Sequence, residues 1–446
     1  MGLADAGAVS AASPAAVGPD AIVVPPMALN VDLVRRPRVL IIVENLPVPF
    51  DRRVWSEATT LVNAGYDVSV ICPKGKDATA SFEIIDGVHI FRHPLPLEAR
   101  GGIGYLLEYG SALFWEFLLS LKVLYRRGFD VIHACNPPDL IFIIGAFYKF
   151  LFRKRFVFDH HDINPELYEA KFGKRDFLWR MMLRLERWSF SLADISIATN
   201  ESYRSIALER GRMPADRVFV VRSGPNLARV RSLPSDASWK NGRQFLVAYV
   251  GVIGKQEGVD LLLESARHIR TLLGRNDVQF VIVGGGPEQE AVKALAKEMG
   301  LDDIVTFAGR VDDATLFSVL STADVCVNPD RPNVMNDKST MNKIMEYMAL
   351  GKPIVQFDLT EGRFSAQGAS LYARNTDTAD FGDKIIELLG NPELRASMGE
   401  FGKKRVEDDL AWRHEEPKLL AAYSCLLKSS QAADHSPSVV RSAPGE

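Results

Sequence analysis

The stretch DKSTMNKIMEYMALGKPIV, residues 337–355, carries the densest set of groups able to do chemistry. Lys338, Asn342, Lys343 and Glu346 place two cations, an amide and a carboxylate around the start of one short helix. A helix start has free N–H groups and the positive end of a dipole, so with a lysine beside it it attracts a phosphate. A carboxylate one turn further in can accept hydrogen bonds from ribose hydroxyls. Ser339 or Thr340 is expected to cap this helix. Met341, Ile344, Met345 and Met348 recur at helical spacing and should face a core. Gly351 and Pro353 should end the helix, ahead of a strand at 353–357. Lys343 and Glu346 are three apart, so a solvated surface pair is the competing reading.

Other candidate groups fall at the ends of apolar runs. The loop GVIGKQEG, residues 251–258, has Gly251, Gly254 and Gly258 for close backbone approach and Lys255 for charge. It could cradle a phosphate, although it is neither a dinucleotide fingerprint nor a Walker A loop, and an ordinary strand–helix turn explains it too. Gly285 lies in a second glycine turn, GGGP at 284–287, and Arg310 follows a third apolar run; a tight turn and a surface ion pair are their bland alternatives. In the other half of the chain, Asp51, Arg52 and Arg53 form a loop cluster able to hold a phosphate, or else a helix start with two solvated arginines. Asp159, His160, His161 and Asp162 offer four metal-ligand types, but adjacent loop residues rarely converge on one ion. A neutral His161 meeting a sugar hydroxyl, with Asp162 beside it, competes with a structural histidine. The run FYKFLFRKR, residues 147–155, mixes aromatic and basic side chains, which suits an anionic lipid face or a buried helix followed by a charged turn.

Two alternating series of strands and helices must position these groups. The first runs from the apolar strand 38–43 through strands near 66–72, 87–92, 130–134, 155–159, 194–198 and 218–221. Its helices are expected at 55–64, 105–126, 140–152 and 176–192. The second has strands at 245–250, 279–283, 304–307, 324–327, 354–357 and 370–372, with helices at 258–273, 288–299, 314–321 and 378–389. This pattern gives an α/β protein of two doubly wound, Rossmann-like domains facing a cleft. The boundaries are a disordered arm at 1–36, a first domain at 37–231, a linker at 232–243 and a second domain at 244–408. A helix at 409–428 and a disordered tail at 429–446 follow.

A length of 446 residues allows two or three domains with large cores. Net charge is −3, so the chain as a whole shows no nucleic-acid signature. Cys72, Cys135, Cys326 and Cys425 form no CxxC pair, which argues against zinc and a disulfide scaffold and fits a reducing cytoplasm. The first 36 residues lack a basic start followed by a long apolar run, so they make a poor signal peptide. No stretch has the roughly 18 uncharged apolar residues of a spanning helix.

Taken in order, PFDRRVWSEATTLVNAGYDVSVICP, FDHHDINPELY, YVGVIGKQEGVDLLLESA, VGGGPE, FAGRV and MNKIMEYMALGKPIV resemble the retaining glycosyltransferases of family four, which have the GT-B architecture. The resemblance runs from about Arg38 to Lys428. It implies a UDP- or GDP-sugar donor in the second domain, with Glu346 on the ribose as the second glutamate of the family's paired motif. Lys338 stands where the first glutamate would be. Val252 and Glu257 replace a common arginine and lysine, and Lys255 and Lys343 are positioned to supply that charge. His161 matches the cleft histidine near the donor sugar, and the last helix matches a crossover segment returning to the first domain. The resemblance further implies transfer with retention, no metal and no other cofactor. The acceptor would be a glycan or a lipid-linked molecule in bacterial polysaccharide biosynthesis, at the inner face of the plasma membrane. Two alternatives share the architecture or the ligand: a sugar-nucleotide epimerase, and a non-catalytic nucleotide-sugar-binding subunit.

Overall fold

The computed structural model describes residues 35–75, 77–94 and 102–434. The expected arm, apart from 35–36, and the tail beyond 434 lie outside the described residues. The first sheet is built from β1 (Arg38–Val43), β2 (Asp67–Pro73), β3 (Phe82–Ile85), β4 (Val88–His93), β5 (Val131–Cys135), β6 (Arg155–His160), β7 (Ile195–Ala198) and β8 (Val218–Val220). Their order is β3-β4-β2-β1-β5-β6-β7-β8, parallel except for the β3–β4 hairpin. Helices α1 (Arg52–Asn63), α2 (Gly102–Arg126), α3 (Phe142–Phe152), α4 (Asn164–Phe172), α5 (Phe177–Leu192) and α6 (Glu201–Glu209) cover it. After Arg38, β1 is an unbroken apolar run because both of its faces are buried.

The second sheet contains β9 (Phe245–Val250), β10 (Val278–Val283), β11 (Val305–Gly309), β12 (Val325–Asn328), β13 (Ile354–Phe357) and β14 (Ser370–Ala373). The order β11-β10-β9-β12-β13-β14 is parallel throughout and reverses direction between β9 and β12. Its helices are α7 (Val259–Thr271), α8 (Gln289–Glu298), α9 (Asp313–Thr322), α10 (Val334–Lys338), α11 (Asn342–Ala349), α12 (Thr360–Ala366), α13 (Thr378–Gly390) and α14 (Pro392–Arg405). At the reversal, the buried Tyr347 hydroxyl of α11 accepts from Val250 N at 2.8 Å and lies 3.4 Å from the Val327 carbonyl. That contact fixes α11 across the point where a doubly wound sheet opens a crevice.

The two halves exchange chain twice. Gly224 abuts the Leu410 carbonyl so closely that a Cβ there would collide with it, and Trp412 N donates to Pro225 O at 3.1 Å. Residues 232–243 lie on the second domain: Leu233 N and Asp236 N donate to Ser321 and Thr322, and the Trp239 indole donates to Ser318. The last helix, α15 (Glu416–Asp434), runs past residue 428. It packs Leu419, Ala422, Tyr423 and Leu426 into the first-domain core beside α1.

Several details differ from the sequence reading. Helix α1 starts at Arg52, because the Asp51 carboxylate accepts from Val54 N at 3.1 Å. Arg52 and Arg53 are therefore on a helix, about 100° apart, and point different ways. Neither Ser339 nor Thr340 caps α11; its N-cap is Met341, without a side-chain bond. Both hydroxyls meet the first domain instead: Thr340 accepts from Asn200 Nδ2 at 3.0 Å, and Ser339, which donates to the Met335 carbonyl at 2.8 Å, meets Tyr203 at 3.1 Å.

Glu116 on α2 is fully buried, and neither carboxyl oxygen has a hydrogen-bond partner among the described residues. Burial, followed by the charge of Glu44, pushes it up to about 8. A carboxyl raised on folding binds its proton more tightly in the folded state. Its contribution is therefore intact below the unfolded value, about 4.3, and is lost as pH rises through the folded one. Between about pH 5 and 8 the unfolding free energy in urea should fall by up to roughly 1.4 kcal/mol per pH unit through this group. Glu116→Gln should remove that slope; an unchanged slope would show that Glu116 does not titrate there.

Candidate active site

Helix α11 brings the second-domain candidates together. Lys343 Nζ donates to Asp330 Oδ1 at 2.9 Å and sits 4.8 Å over the Tyr249 ring. The same ammonium lies 3.3 Å from the position of a Cβ on Gly251, so the lysine rests against the glycine loop at the end of β9. A side chain at Gly284 would collide with the Gly251 carbonyl, which locks the β9 and β10 loops against each other. Beyond them, Arg310 flanks Gly285: its Cγ is 3.6 Å from a Cβ there. Lys255 and Arg310 are exposed, and neither side chain forms an ion pair among the described residues. Gly251, Gly285, Arg310 and Lys343 thus share one crevice edge. Asn342 is exposed at the first turn of α11. Lys338 ends α10, and its carbonyl accepts from Asn200 Nδ2 of the first domain at 2.8 Å.

Lys343 and Glu346 do not pair with each other. Glu346 Oε1 accepts from Arg52 Nη1 at 2.7 Å and from Arg229 Nη1 at 3.3 Å. Asp313 at the start of α9 joins them, 2.6 Å from Arg229 and 3.4 Å from Arg52. Arg52 therefore reaches from the first domain across the cleft to the carboxylate expected to hold ribose. Arg229 and Asp313 escaped the sequence reading because one lies in an aperiodic connection and the other reads as a helix-start acid. Asp330 was within reach of it, since it sits just past the carboxyl end of β12.

Arg53 corrects its expected role as a phosphate contact. It is buried, and its donors are spent inside the first domain. Nη2 meets Asp159 Oδ1 at 2.9 Å and Glu57 Oε1 at 3.0 Å, Nη1 donates to the Val221 carbonyl at 2.8 Å, and Nε lies 3.0 Å from His161 Nε2. Burial pushes the Asp159 carboxyl up, but Arg53, His161 and the bonds from His133 and His161 outweigh it and hold Asp159 well below the usual range. Burial and the Asp159 charge push Glu57 well above it, against the pull of Arg53. One guanidinium thus serves two carboxyls that its surroundings push in opposite directions, Asp159 toward ionisation and Glu57 toward holding a proton. Glu57, His133, Cys135 and Asp159 would otherwise suit a metal, with ligand atoms within 4.8 Å of one another; the Arg53 guanidinium bridges the two carboxyls in that space.

The two histidines of the 159–162 loop diverge. His160 turns into the core, 3.4 Å from Glu186. The His161 Nε2 lies 2.5 Å from Asp159 Oδ2, which leaves Nδ1 as the ring nitrogen able to meet a ligand. Asn136 clamps the loop, its Oδ1 accepting from His161 N at 2.7 Å and from Asp162 N at 3.1 Å. Burial pushes the Asp162 carboxyl up, with His161 and His160 opposing. Behind the loop, His133 connects Asp159 at 3.2 Å to the Tyr423 hydroxyl of α15 at 2.7 Å. A groove of about 550 Å³ also opens beside Lys255, between Ala170 of α4 and Asp260, Ala291 and Arg331. His161, Lys343 and Glu346 do not line it, and their convergence on the crevice is the stronger sign of chemistry.

The chain matches two family models, "Glycosyltransferase Family 4" over residues 51–229 and "Glycosyl transferases group 1" over residues 244–391. An alpha-D-kanosaminyltransferase of Streptomyces kanamyceticus is 31% identical over 157 residues, which is 35% of this chain and 39% of that relative's length. An uncharacterised glycosyltransferase of Methanocaldococcus jannaschii is 23% identical over 396 residues, 83% of this chain and 93% of its own. The Anabaena protein Alr3699/HepE, solved in complex with UDP and glucose, has the same fold: TM-score 0.64 at 15% identity, over 89% of this chain and 100% of that one.

Asp159→Asn leaves Arg53 without its ionised partner in the core. The cost should be about 3–5 kcal/mol in urea unfolding. Glu57→Gln should cost much less, because it replaces a carboxyl whose burial and Asp159 neighbour favour the uncharged form. Equal losses would contradict this assignment of charge.

Proposed function

The chain belongs to the family-four glycosyltransferases with the GT-B fold, and we propose that it transfers a sugar, with retention, from a nucleotide sugar to a glycan or lipid-linked acceptor in polysaccharide biosynthesis. UDP is the first nucleotide to test, since the Anabaena structure of the same fold was solved with UDP; GDP is the second. The observation that carries the reading is the meeting of Lys343, the Gly251 and Gly284 turns, Arg310 and Glu346 at one crevice. Backbone and lysine charge there suit a diphosphate, and the Glu346 carboxylate suits two ribose hydroxyls.

In this reading the bond between the anomeric carbon and the diphosphate oxygen breaks, and the electron pair stays on the diphosphate. Lys343 and the start of α11 stabilise that charge. The acceptor hydroxyl attacks from the same face and gives its proton to the leaving phosphate. His161 Nδ1 orients a sugar hydroxyl, its ring held by Asp159, with Asp162 beside it. Lys338, Lys255 and Asn342 line the donor side, and Arg52 closes the cleft from the first domain and excludes water.

We further propose that the acceptor is met at an anionic membrane. Among the described residues no helix is long and apolar enough to cross a bilayer. The face made by α2, α3 and α5 nevertheless exposes Tyr125, Phe150, Leu151, Phe177 and Trp188. Arg180, Arg184 and Arg187 lie exposed on α5, Arg153 just after α3 and Lys174 just before α5. Aromatic groups with arginines fit a lipid interface.

Glu346→Ala should weaken UDP or GDP binding about 10- to 100-fold, the loss of roughly 1.5–3 kcal/mol for hydrogen bonds to a charged group. Titration calorimetry measures this, and unchanged binding and transfer would remove Glu346 from the site. On the membrane, Phe150→Ser with Trp188→Ser should abolish sedimentation with phosphatidylglycerol vesicles and leave UDP binding intact. Equal sedimentation of variant and parent would refute the lipid face.

A further inference from the structure

Beneath the β9 loop the lysine charge that suits a diphosphate is opposed by carboxyls. Lys343 rests against this loop and faces two carboxyls, Asp330 and Glu257. Asp330 is buried and pairs with it through Oδ1. Glu257 closes the loop just before α7. Its Oε2 is buried with no hydrogen-bond partner among the described residues, 2.5 Å from where a Cβ of Gly254 would stand. Gly254 therefore leaves the space that this carboxyl fills. With both carboxyls ionised, one lysine is outnumbered where two or more phosphate charges would have to sit.

Arg310 stands exposed at the neighbouring Gly285 turn, and the other charged groups near the loop are committed or turned outward. Arg331 is committed to Asp260 and to the Lys255 carbonyl. Lys255 points outward, and Lys171 on α4 acts on Glu257 from the other domain. The Tyr249 hydroxyl donates to the Val252 carbonyl at 2.7 Å and is held neutral by burial and by both carboxyls. Burial and Asp330 push Glu257 up, against Lys343 and Lys171. Burial also pushes Asp330 up, against the Lys343 charge and its hydrogen bond. Asp330 Oδ2 and Glu257 Oε2 are both buried without a hydrogen-bond partner among the described residues, but Asp330 pairs with Lys343 through its other oxygen and Glu257 has no such ion pair, so Glu257 is the carboxyl best placed to hold a proton.

We propose that Glu257 carries a proton whenever a nucleoside diphosphate is seated on this loop, so that binding takes one proton from solvent onto Glu257 and weakens as pH rises. The inference rests on the reading that the loop receives the donor's diphosphate. No bond other than the Glu257 O–H is made, and the uncharged carboxyl becomes a hydrogen-bond donor beside the phosphates.

Titration calorimetry of the full chain with UDP, and with GDP in parallel, tests it across pH 6 to 9. Two buffers of different ionisation enthalpy report the protons exchanged. Nucleotide phosphates titrate near pH 6 themselves, but equally for every variant. The wild-type protein should take up close to one proton in part of this range, and its Kd should rise by up to tenfold per pH unit at the alkaline end. Glu257→Gln, which keeps the shape and a donor, should lose that uptake and the alkaline slope, and should bind more tightly than wild type at pH 9. Glu257→Ala should lose the uptake as well, and circular dichroism reports whether each variant is folded. Uptake and slope unchanged in Glu257→Gln, or absent in wild type throughout, would overturn the proposal. Alkaline binding restored by magnesium in wild type alone would also overturn it, assigning the charge balance to a cation. Failure of every form to bind either nucleotide at any pH would instead refute the proposed function.

Discussion

The buried guanidinium of Arg53 is the constraint on which the rest of the molecule depends. It touches the end of β6 through Asp159, its own helix through Glu57, the cleft histidine, and the Val221 carbonyl where the chain leaves the first domain. A buried charge of this kind is tolerable only with an ionised partner and well-placed acceptors. Meeting that requirement fixes the β1–α1 turn, the 159–162 loop and the exit toward the second domain at once. His133 and Tyr423 extend the network to α15, so the returning helix is coupled to the same buried charge.

The second domain solves a different problem with glycines and one lysine. At its crevice the backbone must come close to a ligand, and the contact between Gly251 and Gly284 admits no side chain there. Tyr347 plugs the sheet reversal and aims α11, so Lys343 and Glu346 emerge on the crevice side of a helix whose other face is core. The two charged groups then part company: Lys343 belongs to the β9 loop and Glu346 to the arginines that cross the cleft. Spacing of three on a helix made them neighbours, but the partners supplied by other elements decided where each points.

The fold was largely legible because it follows from burial. Runs such as 38–43 and 245–250 can only be strands covered on both faces, and the glycine turns after them mark strand ends. What was illegible depended on groups distant in sequence. Ser339 and Thr340 look like helix caps until Asn200 and Tyr203 of the other domain claim them. Arg52 and Arg53 look alike until Asp51 starts the helix one residue before them and sends one into the cleft and the other into the core. Residues 232–243 read as linker because their anchors, Ser318, Ser321 and Thr322, lie on a helix some 80 positions later. Arg229 and Asp313 became visible as a pair only once the domains were set face to face.

The central claim is that the crevice edged by Lys343, Gly251, Gly284 and Glu346 receives the donor nucleotide. A crystal structure of the chain with UDP or GDP tests it most directly. The account places the diphosphate against the Lys343 ammonium and the Gly251 and Gly284 turns, with ribose on Glu346 and Arg52 displaced from that carboxylate. A diphosphate lodged instead in the groove between Ala291 and Arg331, with the Arg52–Glu346 contact intact, would contradict it.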